Sequence, residues 1–352
     1  MPSRIAWAVC AAMVAVAGSA DAAALRLVTY NTFGLPPIQG FVPDRTAEFT
    51  AMAPLLEDIH GDGTPTLLAL EEVFHPPYFN FLTDPNTVTY PEITSKDNGG
   101  PNGIGDGLTL MSDLTIASFS RVGWTDCFGS GGFAGSDCDT NKGFMFARVE
   151  IAPGIELDFY TLHADAGQDA NSRAARIANL GQLAAAIGAN SFGRAVIVLG
   201  DTNSLYTRST DAIGAFATAL GLQDAWVEQA LGGSTPGFGA VNNSGCPAPR
   251  GSATGSAIDA SGSTCEVVDK ILFRSGGQLQ LTLMDYEVLL NLVDGSGNPL
   301  SDHLPVTAMF DLQVVPEPAL ALLLVASGAA LGARRARARA SRAGGAPAAH
   351  ES

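Results

Sequence analysis

The segment AVIVLGDTNS (residues 195–204) places a short apolar run directly before a glycine, an acid and an amide. An apolar run of this length, rich in β-branched residues and stopped by glycine, is typical of a central strand buried on both faces. The ends of such strands open onto the crevice where α/β folds bind ligands. Asp201 and Asn203 are two residues apart, so strand alternation would point both side chains the same way. The segment therefore predicts either an ordinary strand-to-loop turn or one edge of a binding site.

Polar side chains follow or precede apolar strand patterns at several other places in the chain. These are Asn31 in LVTYNTF, Glu72 in LLALEEVF, His163 in FYTLHAD, Asp269 in VVDKILF, and Asp302 and His303 in SDHLPV. Delivering so many polar groups to the edge of an apolar sheet is costly unless they share a task. Together with Asp201 and Asn203, they are predicted to form one site.

The residue types of this predicted site indicate its chemistry. Carboxylate and carboxamide oxygens without thiolates suit a hard cation, Mg²⁺ or Mn²⁺. Two histidines and no apparent serine or cysteine nucleophile favour attack by water over a covalent intermediate. The sequence therefore predicts metal-assisted hydrolysis of a phosphoester.

Residues 25–314 carry no Pro-rich linker and no internal repeat, which predicts a single domain. Strand patterns are interrupted by helical ones, so the predicted class is α/β or α+β. The segment NSRAARIANLGQLAAAIGAN predicts a helix that begins at Asn171 or Ser172. Four of its apolar residues are expected on one buried face: Ile177, Leu180, Leu183 and Ile187.

Both ends of the chain resemble targeting segments. Residues 1–24 combine an early arginine, an apolar stretch and small residues, which is the pattern of a secretory signal peptide. Residues 315–352 combine Pro-Glu-Pro, a short apolar run and an arginine-rich tail, and resemble the PEP-CTERM sorting signal of Gram-negative bacteria. The resemblance implies transient inner-membrane attachment, cleavage by an exosortase, and release to the cell surface or extracellular matrix. A plain membrane anchor at either end is the alternative.

Four cysteines lie outside the predicted signal peptide: Cys127, Cys138, Cys246 and Cys265. An even number in an exported protein favours disulfides, and the local spacing favours Cys127–Cys138 and Cys246–Cys265. Zinc binding is the alternative, but no closely spaced cysteine pair or neighbouring histidine supports it.

The chain is acidic, with 35 acidic and 19 basic side chains and a formal net charge of −16. The two predicted terminal segments carry more arginines than acids, so the remainder is more negative still. Such a surface repels phosphate backbones at long range. We therefore expect no stable nucleic-acid complex, although an enzyme that holds one phosphate against a metal is compatible with this charge.

Six short motifs follow one another along the chain: YNTFGLP, LEEVF, LHAD, GDTN, VDKI and SDH. In this order they resemble the endonuclease/exonuclease/phosphatase superfamily, from Leu25 to Leu312. The resemblance implies a four-layer sandwich, in which two packed mixed β-sheets are flanked by helices and the site lies at one sheet edge. Two positions depart from the usual pattern, because Glu71 stands where Gln is usual and Lys270 where an aromatic residue is common.

The resemblance also implies which residues bind the cofactor. Glu72 is expected to be a ligand of Mg²⁺ or Mn²⁺, and Asp302 is expected to act close to the same metal. Asn31 lies beside them in the implied site and would help to hold the metal or the phosphate.

The remaining site residues are expected, by the same resemblance, to act on the reacting groups. His303 would be the general base, and Asp269 would orient its imidazole. Asp201 would orient or activate the attacking water. Asn203 would support the transition state, and His163 would donate to a phosphoryl oxygen.

Within the superfamily, the sequence leans toward bacterial and neutral sphingomyelinases. TYNTFGLP, EEVF followed by Pro-Pro-Tyr, and DTNKGFMFARVEI carry this resemblance. It favours a phospholipid headgroup ester as substrate, ahead of a nucleic acid cleaved by an extracellular nuclease. No exposed aromatic hairpin for membrane insertion is evident from the sequence.

Two further questions stay open from sequence alone. Lys142, Arg173 and Arg176 are candidate phosphate contacts, with solvated surface charges as the alternative. A protein of another class, a catalytically inactive surface or matrix binding protein on the same fold, is the alternative to an enzyme. The intact set of acids, amides and histidines favours the enzyme.

Overall fold

Strands and helices interleave along the chain, as the sequence pattern predicts. The computed structural model describes residues 23–129, 137–239 and 266–315, and these contain twelve strands and five helices. The strands are β1 (Ala23–Asn31), β2 (Thr66–Glu71), β3 (Glu92–Ile93), β4 (Thr109–Ser112), β5 (Ile116–Gly123), β6 (Gly143–Ala152), β7 (Ile155–His163), β8 (Val196–Asp201), β9 (Gln223–Asp224), β10 (Asp269–Arg274), β11 (Leu279–Val288) and β12 (Val306–Val314). The helices are α1 (Thr46–His60), α2 (Pro76–Leu82), α3 (Ala170–Asn190), α4 (Ile213–Leu220) and α5 (Ala225–Leu231).

The strands form two six-stranded sheets. The first has the order β11-β12-β1-β2-β4-β3, and the second has the order β5-β6-β7-β8-β10-β9. Each sheet is mixed because it holds one parallel pair, β1 with β2 in the first and β7 with β8 in the second. Parallel neighbours need a crossover connection, and here α1 and α3 supply it. In each sheet, the carboxyl ends of the two parallel strands therefore lie at the same edge.

Apolar side chains from both sheets form one continuous core. Leu27 and Leu67 of the first sheet share this core with Phe159 and Ile197 of the second, and all four are fully buried. A second cluster joins the other face of the first sheet to α1 and α2. Removing this apolar surface from water is what holds the layers together. The predicted sandwich of two packed mixed sheets with flanking helices is confirmed.

The helix α3 begins at Ala170, slightly earlier than predicted, because Asp169 caps it. The Asp169 carboxylate accepts hydrogen bonds from the backbone N–H groups of Asn171 and Ser172. Leu180, Leu183 and Ile187 are buried as predicted.

The prediction for Ile177 is wrong, because its side chain is 48% exposed. The buried stripe of the first half of α3 is polar and runs through Ser172, Arg176 and Asn179. An apolar residue one position along from Arg176 therefore turns about 100° away from the protein interior.

The predicted disulfide Cys127–Cys138 is present, with a Cα–Cα distance of 5.3 Å. Cys246 and Cys265 lie outside the described residues, as do residues 1–22 and the predicted sorting segment beyond Val315. Residues Asp21–Val314 form one compact unit. Within the described ranges, none of the helices combines the length and the apolarity that crossing a bilayer requires.

Candidate active site

The strand ends of both sheets meet at one edge of the sandwich. In the first sheet, Asn31 ends β1 and Glu72 directly follows β2. In the second sheet, His163 ends β7 beside Asp201 at the end of β8, and Asp269 opens β10 opposite Asp201. The turn before β12 then brings Asp302 and His303 to the same place. All eight predicted site residues therefore lie together, and their chemical roles remain predictions.

Strained backbone marks the same region. Among the described residues, positive φ outside glycine occurs at Phe33 (54°), Glu72 (59°) and Asn203 (49°). The left-handed region costs an L-residue about 1–2 kcal/mol and persists where surrounding contacts fix it. Two of these residues are predicted site residues, and Phe33 donates its backbone N–H to Asn31 Oδ1 at 3.0 Å. The fold therefore uses its strained positions to aim these side chains.

Gly200 allows the two parallel strands of the second sheet to approach closely at this edge. Its φ is 137°, and a Cβ at this position would lie 2.1 Å from the carbonyl oxygen of Leu162 on β7. No other residue type fits here without moving β7. The spacing between His163 and Asp201 depends on this glycine.

Asp201 lies at the centre of the cluster and is completely buried. Its Oδ2 atom is 3.0 Å from Asn31 Nδ2, 3.3 Å from His163 Nε2 and 3.7 Å from His303 Nε2. Burial alone would raise the pKa of Asp201, but the two imidazoles outweigh it and hold the pKa far below its usual value. These contacts therefore favour the ionised form of Asp201.

His303 and Asp269 form a hydrogen-bonded pair. His303 Nδ1 lies 2.8 Å from Asp269 Oδ2, so the imidazole donates to the carboxylate and its Nε2 atom faces Asp201. Burial would lower the pKa of His303, but Asp269 and Asp201 outweigh it and raise the pKa well above its usual value. Burial also raises the pKa of Asp269. The arrangement is compatible with the predicted roles of a general base and the residue that orients it.

The carboxylates of Glu72 and Asp302 offer oxygen ligands for a cation. Burial and the negative charge of Glu72 raise the pKa of Asp302 to about 6. A divalent cation between the two groups would relieve this repulsion, and oxygen ligands are those that Mg²⁺ and Mn²⁺ prefer. The residues therefore fit the predicted metal.

Asn31 turns its amide nitrogen, not its oxygen, toward the carboxylates. Asn31 Nδ2 lies 3.3 Å from Glu72 Oε1 and 3.0 Å from Asp201 Oδ2. In this orientation Asn31 joins the two acids, and its oxygen would reach a cation only after rotation of the amide. A second candidate group for a metal is Asp201, Asp269 and His303, whose ligand atoms all lie within 4.8 Å of one another.

His163 and Asn203 both lie at the end of the second sheet. His163 is 1% exposed, its Nε2 atom faces Asp201, and its Nδ1 atom is buried without a hydrogen-bond partner. Asn203 donates its backbone N–H to Asp201 Oδ1 at 2.8 Å and its side-chain amide to the carbonyl of Ala164 at 3.1 Å. Both side chains are held in place by neighbouring groups of the site.

The three candidate phosphate contacts lie in different environments. Lys142 lines the cavity beside Glu72 and forms a buried ion pair with Asp137, a residue that sequence reasoning missed. Burial would lower the pKa of Lys142, but Asp137 and Glu72 raise it. Arg173 lies on the exposed first turn of α3 and does not line the cavity.

For Arg176, the alternative of a solvated surface charge is wrong. Its side chain is 2% exposed and binds the carbonyl oxygens of Asp165 and Gly167 together with the carboxylate of Asp211. The Arg176 guanidinium is therefore engaged in hydrogen bonds inside the protein, and it is not among the residues that line the cavity.

A cavity of about 240 Å³ adjoins this cluster. Glu72, Asp302 and Lys142 supply polar groups to its lining. The apolar part of the lining includes Phe33, Leu35, Phe41, Val42 and Pro43. Phe41 is 84% exposed at the tip of a turn closed by pairing of Ile38 with Val42. Isolated apolar residues in loops are common on protein surfaces, so this apolar projection cannot be recognised from the sequence pattern.

Comparison with known proteins extends this picture. No protein-family model matches the chain. The sphingomyelinase of Mycobacterium tuberculosis is 34% identical over 206 residues, which cover 58% of this chain and 36% of that protein. The sphingomyelinase of Mycobacterium bovis matches to the same extent. The chain thus matches only about a third of the length of these curated relatives.

Solved structures match over most of the chain. A humanized D. rerio TDP2 has a TM-score of 0.55 and 18% identity, covering 82% of this chain and 98% of that one. Sphingomyelinase C from Streptomyces griseocarneus has a TM-score of 0.53 and 18% identity, covering 81% and 99%. A beta toxin variant from Staphylococcus aureus with bound magnesium ions has a TM-score of 0.52 and 16% identity, covering 80% and 98%. The two-sheet sandwich described above is therefore the endonuclease/exonuclease/phosphatase fold.

Proposed function

We propose that this chain is a metal-dependent phosphodiesterase that hydrolyses a phosphoester by attack of water. The observation that carries the proposal is the His303–Asp269 pair, whose free imidazole nitrogen faces Asp201. The side-chain amide of Asn31 lies between that carboxylate and the carboxylate of Glu72. A base, its orienting acid and a set of hard oxygen ligands at one sheet edge are the parts that hydrolysis of a phosphodiester requires.

The proposed roles follow from the donors and acceptors of each residue. With Nδ1 donating to Asp269, His303 Nε2 accepts the proton of the attacking water. Asp201 holds that water, because its fully ionised carboxylate faces the same nitrogen. His163 and Asn203 donate to phosphoryl oxygens as negative charge develops on them.

Glu72 and Asp302 would hold the divalent cation, with Asn31 beside them. When bound, Mg²⁺ or Mn²⁺ supplies positive charge that stabilises the phosphoryl oxygens and the leaving group. The beta toxin variant that shares this fold carries magnesium ions in its solved structure, which supports Mg²⁺ as the first choice.

A phospholipid headgroup ester of the sphingomyelin type is the proposed substrate. The similarity to mycobacterial sphingomyelinases supports it, and so does the apolar cavity wall that leads from the acidic cluster to exposed Phe41. The net charge of −16 disfavours a polyanionic nucleic acid. An extracellular nuclease on the same fold is the second candidate.

One panel of reactions tests these choices. The purified protein is given sphingomyelin vesicles, plasmid DNA and bis(p-nitrophenyl) phosphate, each with Mg²⁺ and each with EDTA. Metal-dependent release of phosphocholine supports the proposal, whereas cleavage of DNA alone supports the nuclease. Absence of hydrolysis in every reaction contradicts the enzyme and favours the inactive binding protein.

Replacing Phe41 by alanine is expected to reduce hydrolysis of sphingomyelin vesicles roughly 10-fold, because the exposed ring gains apolar contact only at a lipid surface. Hydrolysis of soluble bis(p-nitrophenyl) phosphate should not change. Phe192→Ala is the matched control, since Phe192 is 91% exposed and lies before β8, at the opposite end of that strand from Asp201. Equal vesicle activity of the two variants would contradict a lipid contact at Phe41.

We also propose that the chain is exported and processed at both ends. The released form should lack the first 22–24 residues and the segment beyond Pro318, which mass spectrometry of the secreted protein can measure. An intact carboxyl terminus on protein recovered from the outer surface contradicts processing by an exosortase.

A further inference from the structure

A buried carboxylate outside the predicted site connects the loop after β7 with the loop after β8, and both loops adjoin the site. Asp211 lies between β8 and α4, and its side chain is completely buried. Its Oδ2 atom accepts hydrogen bonds from the backbone N–H of Leu205 at 2.8 Å and from Arg208 Nε at 2.5 Å. Its Oδ1 atom lies 3.2 Å from a guanidinium nitrogen of Arg176. Both carboxylate oxygens are therefore occupied.

The two arginines continue from Asp211 to the backbone of the site. Arg208 donates to the carbonyl oxygen of Asn203 in the loop after β8. Arg176 donates to the carbonyl oxygens of Asp165 at 3.0 Å and Gly167 at 2.8 Å in the loop after β7. One acid thus ties the segment that follows His163 to the segment that holds Asn203. The planar guanidinium suits this task, because it presents several donors in a fixed geometry.

Asn203 needs such support more than its neighbours. Its φ of 49° is unfavourable for an L-residue, and backbone of this kind persists only where contacts fix it. Its N–H is held by Asp201, its side-chain amide by Ala164, and its carbonyl by Arg208. Loss of the Arg208 contact would remove one of these three restraints on the strained peptide.

We infer that Asp211, with Arg208 and Arg176, is a positioning cluster that fixes Asn203 and the loop after His163 for catalysis. The inference rests on the proposed phosphodiesterase activity. None of the three side chains lines the cavity, so they act through the residues they hold.

The chain offers a matched control at the other end of the same strands. Asp158, near the start of β7, also has a completely buried side chain. It pairs with Arg148 Nε at 3.2 Å and Arg194 Nε at 2.9 Å. Asp158 pairs in register with Val196 at the start of β8, whereas the site lies at the ends of both strands. Asp158 is therefore also a buried acid paired with two arginines, and it is separated from the site by the length of a strand.

The experiment compares Asp211→Asn with Asp158→Asn in the full-length protein, using bis(p-nitrophenyl) phosphate with Mg²⁺ at a temperature where both variants are folded. Both substitutions should lower the melting temperature. Only Asp211→Asn should lower kcat, by up to about 10²-fold with little change in KM, because a displacement of about 1 Å can have that effect. Equal kcat values for the two variants would overturn the inference.

Arg208 gives an independent measurement if Asp211→Asn folds poorly. Arg208 is partly exposed, so Arg208→Ala opens a site that added guanidinium ion can enter from solution. We expect low millimolar guanidinium to restore part of the lost kcat in Arg208→Ala and to leave Arg148→Ala unchanged. No restoration would count against the inference. An inactive wild-type protein would contradict the proposed function itself, which separates the two failures.

Discussion

Replacing His303 by alanine is expected to lower kcat by about 10²–10⁴-fold, which is the usual contribution of a positioned general base. The variant loses the nitrogen that faces Asp201 and the partner of the buried Asp269. Steady-state kinetics with the soluble diester measure the loss. A circular dichroism spectrum and a melting curve check that the fold is retained. Near-normal turnover in a folded His303→Ala protein would remove His303 from the mechanism.

Asp269→Asn should cost less than His303→Ala, because the imidazole remains but is held in a less favourable tautomer. Since the two residues act as one unit, the double variant should be little worse than His303→Ala alone. If the two losses multiply instead, Asp269 and His303 do not form a base and its orienter.

The pH dependence of the same pair has a defined sign. His303 must be neutral to accept a proton, so kcat/KM should fall as the pH drops through its pKa. Burial lowers that pKa, but Asp269 and Asp201 outweigh it and raise it well above the usual value for histidine. Removing the charge of Asp269 should therefore shift the acid limb of the profile to lower pH in Asp269→Asn. An unmoved limb, or one displaced to higher pH, would contradict this assignment. The measurement is made at saturating Mg²⁺ in both proteins, because a bound cation also lowers the pKa.

Chelation of divalent metal is expected to abolish activity, and added Mg²⁺ or Mn²⁺ should restore it. Glu72→Gln should then raise the metal concentration needed for half-maximal activity by at least about 10–100-fold, the range found for residues that only support metal ligands. The substitution keeps the shape of the side chain and removes one of the two carboxylates that repel each other at the cavity. Full activity in EDTA would contradict the proposed mechanism.

Thermal stability gives a reading of metal binding that does not depend on turnover. A ligand that binds only the folded protein raises its melting temperature. Mg²⁺ should therefore stabilise the wild-type protein more than Glu72→Gln at the same concentration. Glu156→Gln is the control, because Glu156 lies at the start of β7 and pairs with Arg194. Equal stabilisation of the wild type and Glu72→Gln would remove Glu72 from the metal site.

Much of the site could be predicted because its residues come directly before or after recognisable strands. Glu72 and Asp201 follow short, fully buried strands, and such strands are visible in the sequence as continuous apolar runs. Parallel pairing then places their ends at one sheet edge. These patterns do not show that the site residues come from two different sheets. That expectation follows from the family resemblance alone.

The sequence does not predict burial that depends on contacts between distant parts of the chain. Arg176 carries the sequence signature of an exposed helix charge, yet it is buried because Asp211, 35 residues further along, pairs with it. Such pairs are visible only once the chain has folded, because neither partner has a distinctive neighbourhood in sequence.

The hydrogen bonds from Asn31 to Asp201 and from His303 to Asp269 both cross from one sheet to the other. Each sheet taken alone therefore holds only half of the proposed catalytic groups. During refolding, strands and helices can form in each half before the core between them closes, and such an intermediate has secondary structure without packed side chains. Recovery of turnover should therefore lag behind recovery of the far-ultraviolet signal and follow the burial of the shared core. If the proposed activity is present, turnover therefore reports the last step of folding, in which the two sheets pack together.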